Sequence, residues 1–398
     1  MRVAERISRL GTETAFKVSD LAREWEARGN KVYPFHVGDI NISTPSHIVE
    51  AALRAIKDGK TGYSPSAGIP ELREALAEDV SSSRGVEYTP EEVSVQPGGK
   101  PVIGKFFQAL LNPGDEALYP NPGYPIYESQ IEFYGGIAKP YRFVETDRGF
   151  DIDFDYLKSL VSPRTRLFVY NNWHNPLGSE STEEEMESLA NFILENDLYV
   201  LSDEAYFDIR YSGRSKSIVS YPGMKERTII LYTFSKKYAM TGWRLGAAIG
   251  PKDLIQIINK LNVNIESCSN HFVQYAGVAA LKGPHGEYQK MIDILRERRD
   301  IAVEILNSID GVKVHKPETT FYLFPNVTEA MRNKGIKSLD ELVDRAMKEA
   351  GVSFCSRSHF GRPFPGETEM YIRLAYSGID KEDIKEGLTR LKEWFEAQ

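Results

Sequence analysis

The 398-residue chain contains only two cysteines, Cys268 and Cys355. Two thiols make neither a disulfide framework nor a thiolate metal site. Both are expected to be small buried hydrophobes in a reducing compartment. No apolar run approaches the roughly 18 residues that a membrane span requires. The opening residues, MRVAERISRLGTETAFKVSD, lack the apolar core of a secretory signal, so a cytoplasmic protein is expected. There is no basic excess either. A net charge of −8 argues against nucleic acid as a partner, while leaving room for a local basic pocket around a small anion. No Gly-x-Gly-x-x-Gly opens a helix and no Gly-Lys-Ser/Thr phosphate loop occurs, which removes the usual nucleotide-binding signatures. Low-complexity tracts, repeats and Gly/Ser-rich linkers are absent as well.

What is present is ordinary globular composition, 41% hydrophobic and 27% charged, in a chain long enough for about two or three domains. Short apolar or β-branched stretches recur at Val93–Val95, Ala117–Tyr119, Arg166–Tyr170, Leu198–Leu201, Thr228–Tyr232 and Leu245–Ile249. Amphipathic helical stretches separate them, such as the one from Pro101 to Leu111 that ends at Asn112-Pro-Gly. The alternation predicts an α/β fold, a mostly parallel sheet with helices on both faces. Such sheets bind ligands at the carboxyl ends of their strands. Gly98–Gly99, Asn175, Asp203 and Lys236 all fall at such ends.

The ends of the chain read differently. A helix is expected from Ser19 to Arg28, capped by Gly29, and a long charged helix from Gln289 to Ser308. Val312–Val314 and Phe321–Phe324 read as strands, and Lys381 to Ala397 as a last helix. The expectation is a large domain over 46–284 and a smaller α+β domain from 1–45 with 285–398.

The richest stretch is Thr233-Phe-Ser-Lys236-Lys-Tyr-Ala-Met-Thr-Gly-Trp-Arg244-Leu-Gly246. A lysine at a strand end in apolar and aromatic surroundings is disfavoured as a cation, which frees its amine to attack a carbonyl. A hydroxyl at Thr233 and a guanidinium at Arg244 suit a phosphate anchor. Read alone, a lysine near an arginine also describes a surface ion pair. Gly98, Gly99 and Lys100 begin a helix after a strand, where backbone N–H groups approach an anion; an ordinary turn fits the same residues. Asn175-Pro-Leu-Gly178 also reads as a turn, and Asp203 as a helix N-cap beside a core tyrosine.

Taken together, the lysine string resembles the cofactor-lysine signature of the class I/II aminotransferases, the aspartate aminotransferase family of fold-type I pyridoxal-phosphate enzymes. The pattern there is Ser-Lys, an aromatic two residues on, then Gly-x-Arg. Its spacing to the arginine selects Lys236 over Lys237, which is left as a solvated or helix-start lysine. The resemblance covers nearly the whole chain and implies a large domain with a seven-stranded, mostly parallel sheet. It also implies pyridoxal 5'-phosphate linked covalently to Lys236.

The other matches carry implied roles. Asp203 and Tyr206, in Ser202-Asp-Glu-Ala-Tyr206, would face the pyridine nitrogen and the phenolic oxygen of the cofactor. Asn175 would bind the same phenolic oxygen. Gly98, Gly99, Lys100, Thr233 and Arg244 would hold the phosphate, and Tyr124, in Pro122-Gly-Tyr124, would stack on the ring. Tyr63, in Gly62-Tyr63-Ser-Pro, would reach the phosphate of a second copy, which implies a homodimer with shared sites. Arg373, in Tyr371-Ile-Arg373-Leu, would take the substrate's α-carboxylate, with the backbone of Gly38 and the side chains of Tyr124 and Asn175 beside it.

The implied reaction is a ping-pong transfer of the amino group of an L-amino acid to a 2-oxo acid such as 2-oxoglutarate. In it Lys236 acts as general base, with Asp203 and Tyr206 completing the catalytic set. A C–S β-lyase shares the same residues and is the first rival. A non-catalytic regulator on this fold is a second; its N-terminal DNA-binding domain is not expected, since the first helix is already read at Ser19. Four places depart from the family pattern. Trp173 stands for a proline, Leu177 for a threonine, Thr319-Thr320 for Gly-Ala, and Asn270-His271 for small residues. The last two places border the substrate region in that family, so an unusual specificity is expected from them.

Overall fold

In the computed structural model, which describes residues 2–11 and 15–397, seven strands form the central sheet. In chain order they are β1 (Val93–Gln96), β2 (Glu116–Pro120), β3 (Ile137–Tyr141), β4 (Thr165–Tyr170), β5 (Tyr199–Asp203), β6 (Thr228–Thr233) and β7 (Gly246–Ile249). Their spatial order is β1-β7-β6-β5-β4-β2-β3. All neighbours run parallel except β7, which is antiparallel to both β1 and β6. Strands covered on both faces must be apolar throughout. Leu167, Phe168, Val169, Val200, Leu201, Ile229 and Ile230 are accordingly buried from both sides.

Six of these strands coincide with the apolar stretches read from the sequence. The seventh, β3, was not anticipated. It is an edge strand carrying Lys139 and Pro140, a composition that suits an edge because proline donates no ladder hydrogen bond.

Helices surround the sheet. The first four α-helices among the described residues are α1 (Ala15–Ala27), α2 (Ser46–Lys57), α3 (Pro70–Arg84) and α4 (Lys100–Leu110). Helix α3 opens with Pro70 in its first turn and stops at Gly85, which takes φ +68°.

A second, antiparallel sheet joins Tyr322–Leu323, Ile372–Ala375 and Cys355–Ser356. The helices Gly286–Asn307 and Lys381–Glu396 pack together beside it. The N-terminal segment belongs to this body. Tyr33–Pro34 pairs in parallel with Val352–Ser353, and Tyr33 and Phe35 are buried in the same core as Leu295, Phe321 and Leu374. Of the two strands expected there, Phe321–Phe324 contains the observed Tyr322–Leu323. Val312–Val314 is not a strand: its only pairing is an isolated bridge from Lys313 to Asn326, because no neighbouring strand extends alongside it. No helix among the described residues is long and apolar enough to cross a membrane.

Candidate active site

The carboxyl ends of β1, β4, β5 and β6 open onto one cavity of about 330 Å³. The antiparallel strand matters here. Gly246, its first residue, is in register with Gln96 at the end of β1 and Thr233 at the end of β6. A residue that precedes β7 therefore reaches the same edge as residues that come after the parallel strands. Arg244 does so from a left-handed backbone conformation, φ +56°. Its guanidinium donates to the Thr241 carbonyl at 2.7 Å and lies against Gly98. Gly98 has φ +102°, and a Cβ there would sit 2.3 Å from Arg244 Nη2. Gly99, Lys100, Thr233, Ser235 and Arg244 all line the cavity. The first turn of α4 leaves backbone N–H groups unpaired within the helix, so this corner offers donors and positive charge to an anion.

Lys236 lies three residues beyond β6. Its Nζ donates to the Gly38 carbonyl at 2.8 Å and sits 5.5 Å from the Phe321 ring and 6.0 Å from that of Tyr206. Gly38 is tightly enclosed: a Cβ would meet the Tyr322 hydroxyl at 2.2 Å. Tyr322 and Tyr206 share a 2.7 Å hydroxyl–hydroxyl hydrogen bond. Burial pushes the Tyr206 phenol well above its ordinary range.

Asp203 ends β5 and is 6% exposed. The Tyr127 hydroxyl donates to its Oδ2 at 2.6 Å and the Ala205 N–H to its Oδ1 at 3.1 Å. Burial raises the carboxyl's pKa, and these two donors oppose that rise. Asn171 ties the neighbouring loop to this strand end, donating to the Asp203 carbonyl while its own oxygen accepts from the Asn175 N–H, both at 3.0 Å.

Arg373 is 5% exposed and stands in the middle of the second sheet. Its guanidinium lies between the rings of Tyr322 and Phe360, at 4.6 and 4.8 Å. It donates to the His36 carbonyl at 2.5 Å and to Asn175 Oδ1 at 3.3 Å, and Nη2 lies 3.8 Å from Cys355 Sγ. No carboxylate pairs with it among the described residues. A permanently charged group buried without a counter-ion is costly, so the arrangement calls for an anion from outside the chain. Burial, with the Arg373 charge next to it, lowers the His36 pKa to about 4.

The structure thus brings Gly38, Gly99, Lys100, Tyr124, Asn175, Asp203, Tyr206, Thr233, Lys236, Arg244 and Arg373 to one cavity, with Gly98 directly behind Arg244. Tyr63 stands apart. It is 89% exposed and does not line the cavity of its own chain.

Lys237 is not the solvated lysine expected from the sequence. Its side chain is 12% exposed and pairs with Asp208 at 3.1 Å and Asp79 at 3.8 Å. Burial alone would lower its pKa, but the two carboxylates reverse that and raise it. Trp173 is buried edge-on against Phe207, with ring centroids 4.8 Å apart, and Leu177 packs with Phe150 and Phe324. Neither these two nor Thr319, Thr320, Asn270 and His271 line the cavity. Tyr127, Asn171, Ser235, Tyr322 and His36 went unread as site residues. Ser235 lay within the lysine string itself, and Tyr127 three residues past Tyr124.

The family model described as aminotransferase class I and II matches residues 30–391. A probable aspartate/prephenate aminotransferase of Aquifex aeolicus is 36% identical over 399 residues, covering 99% of this chain and 98% of that protein. An aspartate aminotransferase of Geobacillus stearothermophilus is 32% identical over 400 residues, covering 100% of both. Among solved structures, an alanine aminotransferase from Pyrococcus furiosus superposes with a TM-score of 0.91 at 30% identity, covering 100% of both chains.

Proposed function

Because the chain belongs to the class I and II aminotransferases, enzymes that transfer amino groups with pyridoxal 5'-phosphate, we propose that it binds that cofactor on Lys236 and moves an amino group from an L-amino acid to a 2-oxo acid in ping-pong fashion. The names of the relatives favour L-aspartate as donor. 2-Oxoglutarate is the acceptor in this reading. The carrying observation is the buried Arg373 guanidinium, which has no carboxylate partner among the described residues and lines the same cavity as Lys236 and Asp203. An α-carboxylate is the anion it fits, held by a fork of parallel N–H donors.

The residues present suit the cofactor. Gly98, Gly99, Lys100, Thr233, Ser235 and Arg244 would hold its phosphate, Tyr124 would face its ring, and Asn175 and Tyr206 would reach its phenolic oxygen. Asp203, whose carboxylate accepts from Tyr127 and the Ala205 N–H, would sit at the pyridine nitrogen. When bound, the cofactor supplies an electron-withdrawing ring that stabilises negative charge developing at the substrate's Cα.

The chain's own part is positioning and proton transfer. Arg373 fixes the substrate by its carboxylate. With the cofactor bound, the Lys236 amine would take the Cα proton as general base and, as general acid, would deliver it to the cofactor's carbonyl-derived carbon and not back to Cα. Gly38 and Phe16, from the N-terminal segment and α1, line the cavity, and closure of this segment over a bound substrate would exclude water. In this reading 46–284 forms the cofactor-binding domain, and 1–45 with 285–398 closes over it. A second copy would place its exposed Tyr63 at the phosphate corner, and the free cysteines fit a cytoplasmic location.

Absorbance tests the proposal. Protein loaded with pyridoxal 5'-phosphate is expected to show a visible band that Lys236→Ala lacks. L-Aspartate should bleach the band, and 2-oxoglutarate should restore it. Bleaching with release of ammonia, and no dependence on a 2-oxo acid, would instead show a lyase. A protein that takes up no cofactor overturns the reading.

A further inference from the structure

The residues immediately after Asp203 and Lys236 turn away from the cavity, and both meet charged groups of α3. Glu204 is bound by Arg84, the last residue of that helix: Arg84 Nε donates to Glu204 Oε2 at 2.9 Å, with side-chain exposures of 1% and 0%. The second Glu204 oxygen accepts from Ser202 Oγ at 3.1 Å and from Ser217 Oγ. The guanidinium lies 3.5 Å from the centroid of the Phe207 ring. Lys237 is bound by Asp79 of the same helix and by Asp208. One helix therefore supplies a cation behind Asp203 and an anion behind Lys236.

A buried ion pair is a weak source of stability, since desolvation offsets most of the attraction. Its place in this fold suggests another use. Glu204 adjoins Asp203 in sequence and both are buried, so an ionised Glu204 raises the cost of a charge on Asp203 unless it is neutralised. Arg84 is the neutraliser, because a guanidinium keeps its proton even when buried.

We propose that Arg84 is a positioning residue for the reaction: by cancelling the charge of Glu204 it leaves Asp203 as the carboxylate that acts on the cavity. This rests on the proposed function, in which Asp203 faces the cofactor's pyridine nitrogen. The other charged and titratable groups around the pair include Tyr127 and Lys236 near Asp203, Asp79, Asp208 and Tyr232 near Arg84, and the buried Tyr88 near both Arg84 and Glu204. All of them stay in place in the variants that test the idea.

The test compares the wild type, Glu204→Gln, Arg84→Lys and the double variant Arg84→Met/Glu204→Gln. Each is loaded with pyridoxal 5'-phosphate, and the pH midpoint of its visible band is recorded alongside the melting temperature of the cofactor-free protein. Glu204→Gln keeps the shape and the serine hydrogen bonds but leaves the Arg84 charge unopposed. It should lower the midpoint by at least ~0.5 pH unit, because an added positive charge disfavours protonation nearby. The double variant removes both charges and should return the midpoint to that of the wild type. Arg84→Lys keeps the charge and should hold the midpoint even where it lowers the melting temperature. If Glu204→Gln folds and titrates as the wild type does, or the double variant stays shifted, the proposal is wrong. Should Glu204→Gln not fold, a displaced midpoint in Arg84→Lys overturns it equally. A wild type with no visible band removes the cofactor assignment itself and is read before any variant.

Discussion

The Tyr127 hydroxyl donates to Asp203 Oδ2 at 2.6 Å, and both groups are buried. Tyr127 was not singled out from the sequence, yet among side chains it is the one whose hydrogen bond most opposes the rise that burial imposes on the carboxyl's pKa. Tyr127→Phe removes that donor with almost no change of shape. Hydrogen bonds to charged groups contribute roughly 1.5–3 kcal/mol, so kcat should fall about 10- to 100-fold while the melting temperature stays near the wild type's. Steady-state kinetics with L-aspartate and 2-oxoglutarate measures this.

Arg373→Lys exchanges a planar fork for a point charge between the Tyr322 and Phe360 rings. Two parallel hydrogen bonds to a carboxylate become one, and the stacking on the rings is lost. A drop in kcat/KM of about 100-fold is expected for every amino-acid donor alike, since all share the α-carboxylate. A loss confined to one donor would assign Arg373 to the substrate side chain instead.

Gly98→Ala places a methyl group where Arg244 Nη2 now lies, 2.3 Å from the new carbon, at a backbone φ of +102°. The guanidinium must move away from the phosphate corner. Cofactor affinity, followed by titrating cofactor-free protein, should weaken by about tenfold or more, the equivalent of one lost charge-assisted contact.

His174 is fully enclosed, meets the Phe143 ring edge-on at 4.8 Å, and has no hydrogen-bond partner on either ring nitrogen among the described residues. Burial lowers its pKa to about 3. The unfolded chain binds this proton near pH 6.5 and the folded chain does not, so stability is full above pH 6.5 and falls as the pH drops towards 3. The loss from this one group is on the order of 3 kcal/mol by pH 4. His174→Phe should flatten that acid limb in urea titrations between pH 4 and 7. An unchanged slope would mean that the imidazole is protonated in the folded protein.

The strands that carry the site were legible because burial on both faces leaves only apolar side chains, as at Phe168 and Ile229. The turn residues after them were legible because glycine, asparagine and proline mark strand ends. Strand β3 escaped, since an edge needs no such run. So did the surroundings of Arg373. His36 and Cys355 lie far from it along the chain and meet it only through sheet pairing and close packing. The role of Lys237 was missed for a related reason. Neighbouring residues at a strand end face opposite sides, and only the packing of α3 reveals that the hidden side holds Asp79.

The pairing of Tyr33–Pro34 with Val352–Ser353 has a consequence for the order of events during synthesis. A chain emerging from the ribosome can complete the central sheet, with Asp203, Lys236 and Arg244 at its edge, while the strand that carries Arg373 is still being made. The N-terminal segment meanwhile waits without its partner strand, and its aromatic residues Tyr33 and Phe35 stay uncovered. On the proposed function, the residues at the phosphate corner are thus all made before Arg373, the residue that would hold the substrate's carboxylate.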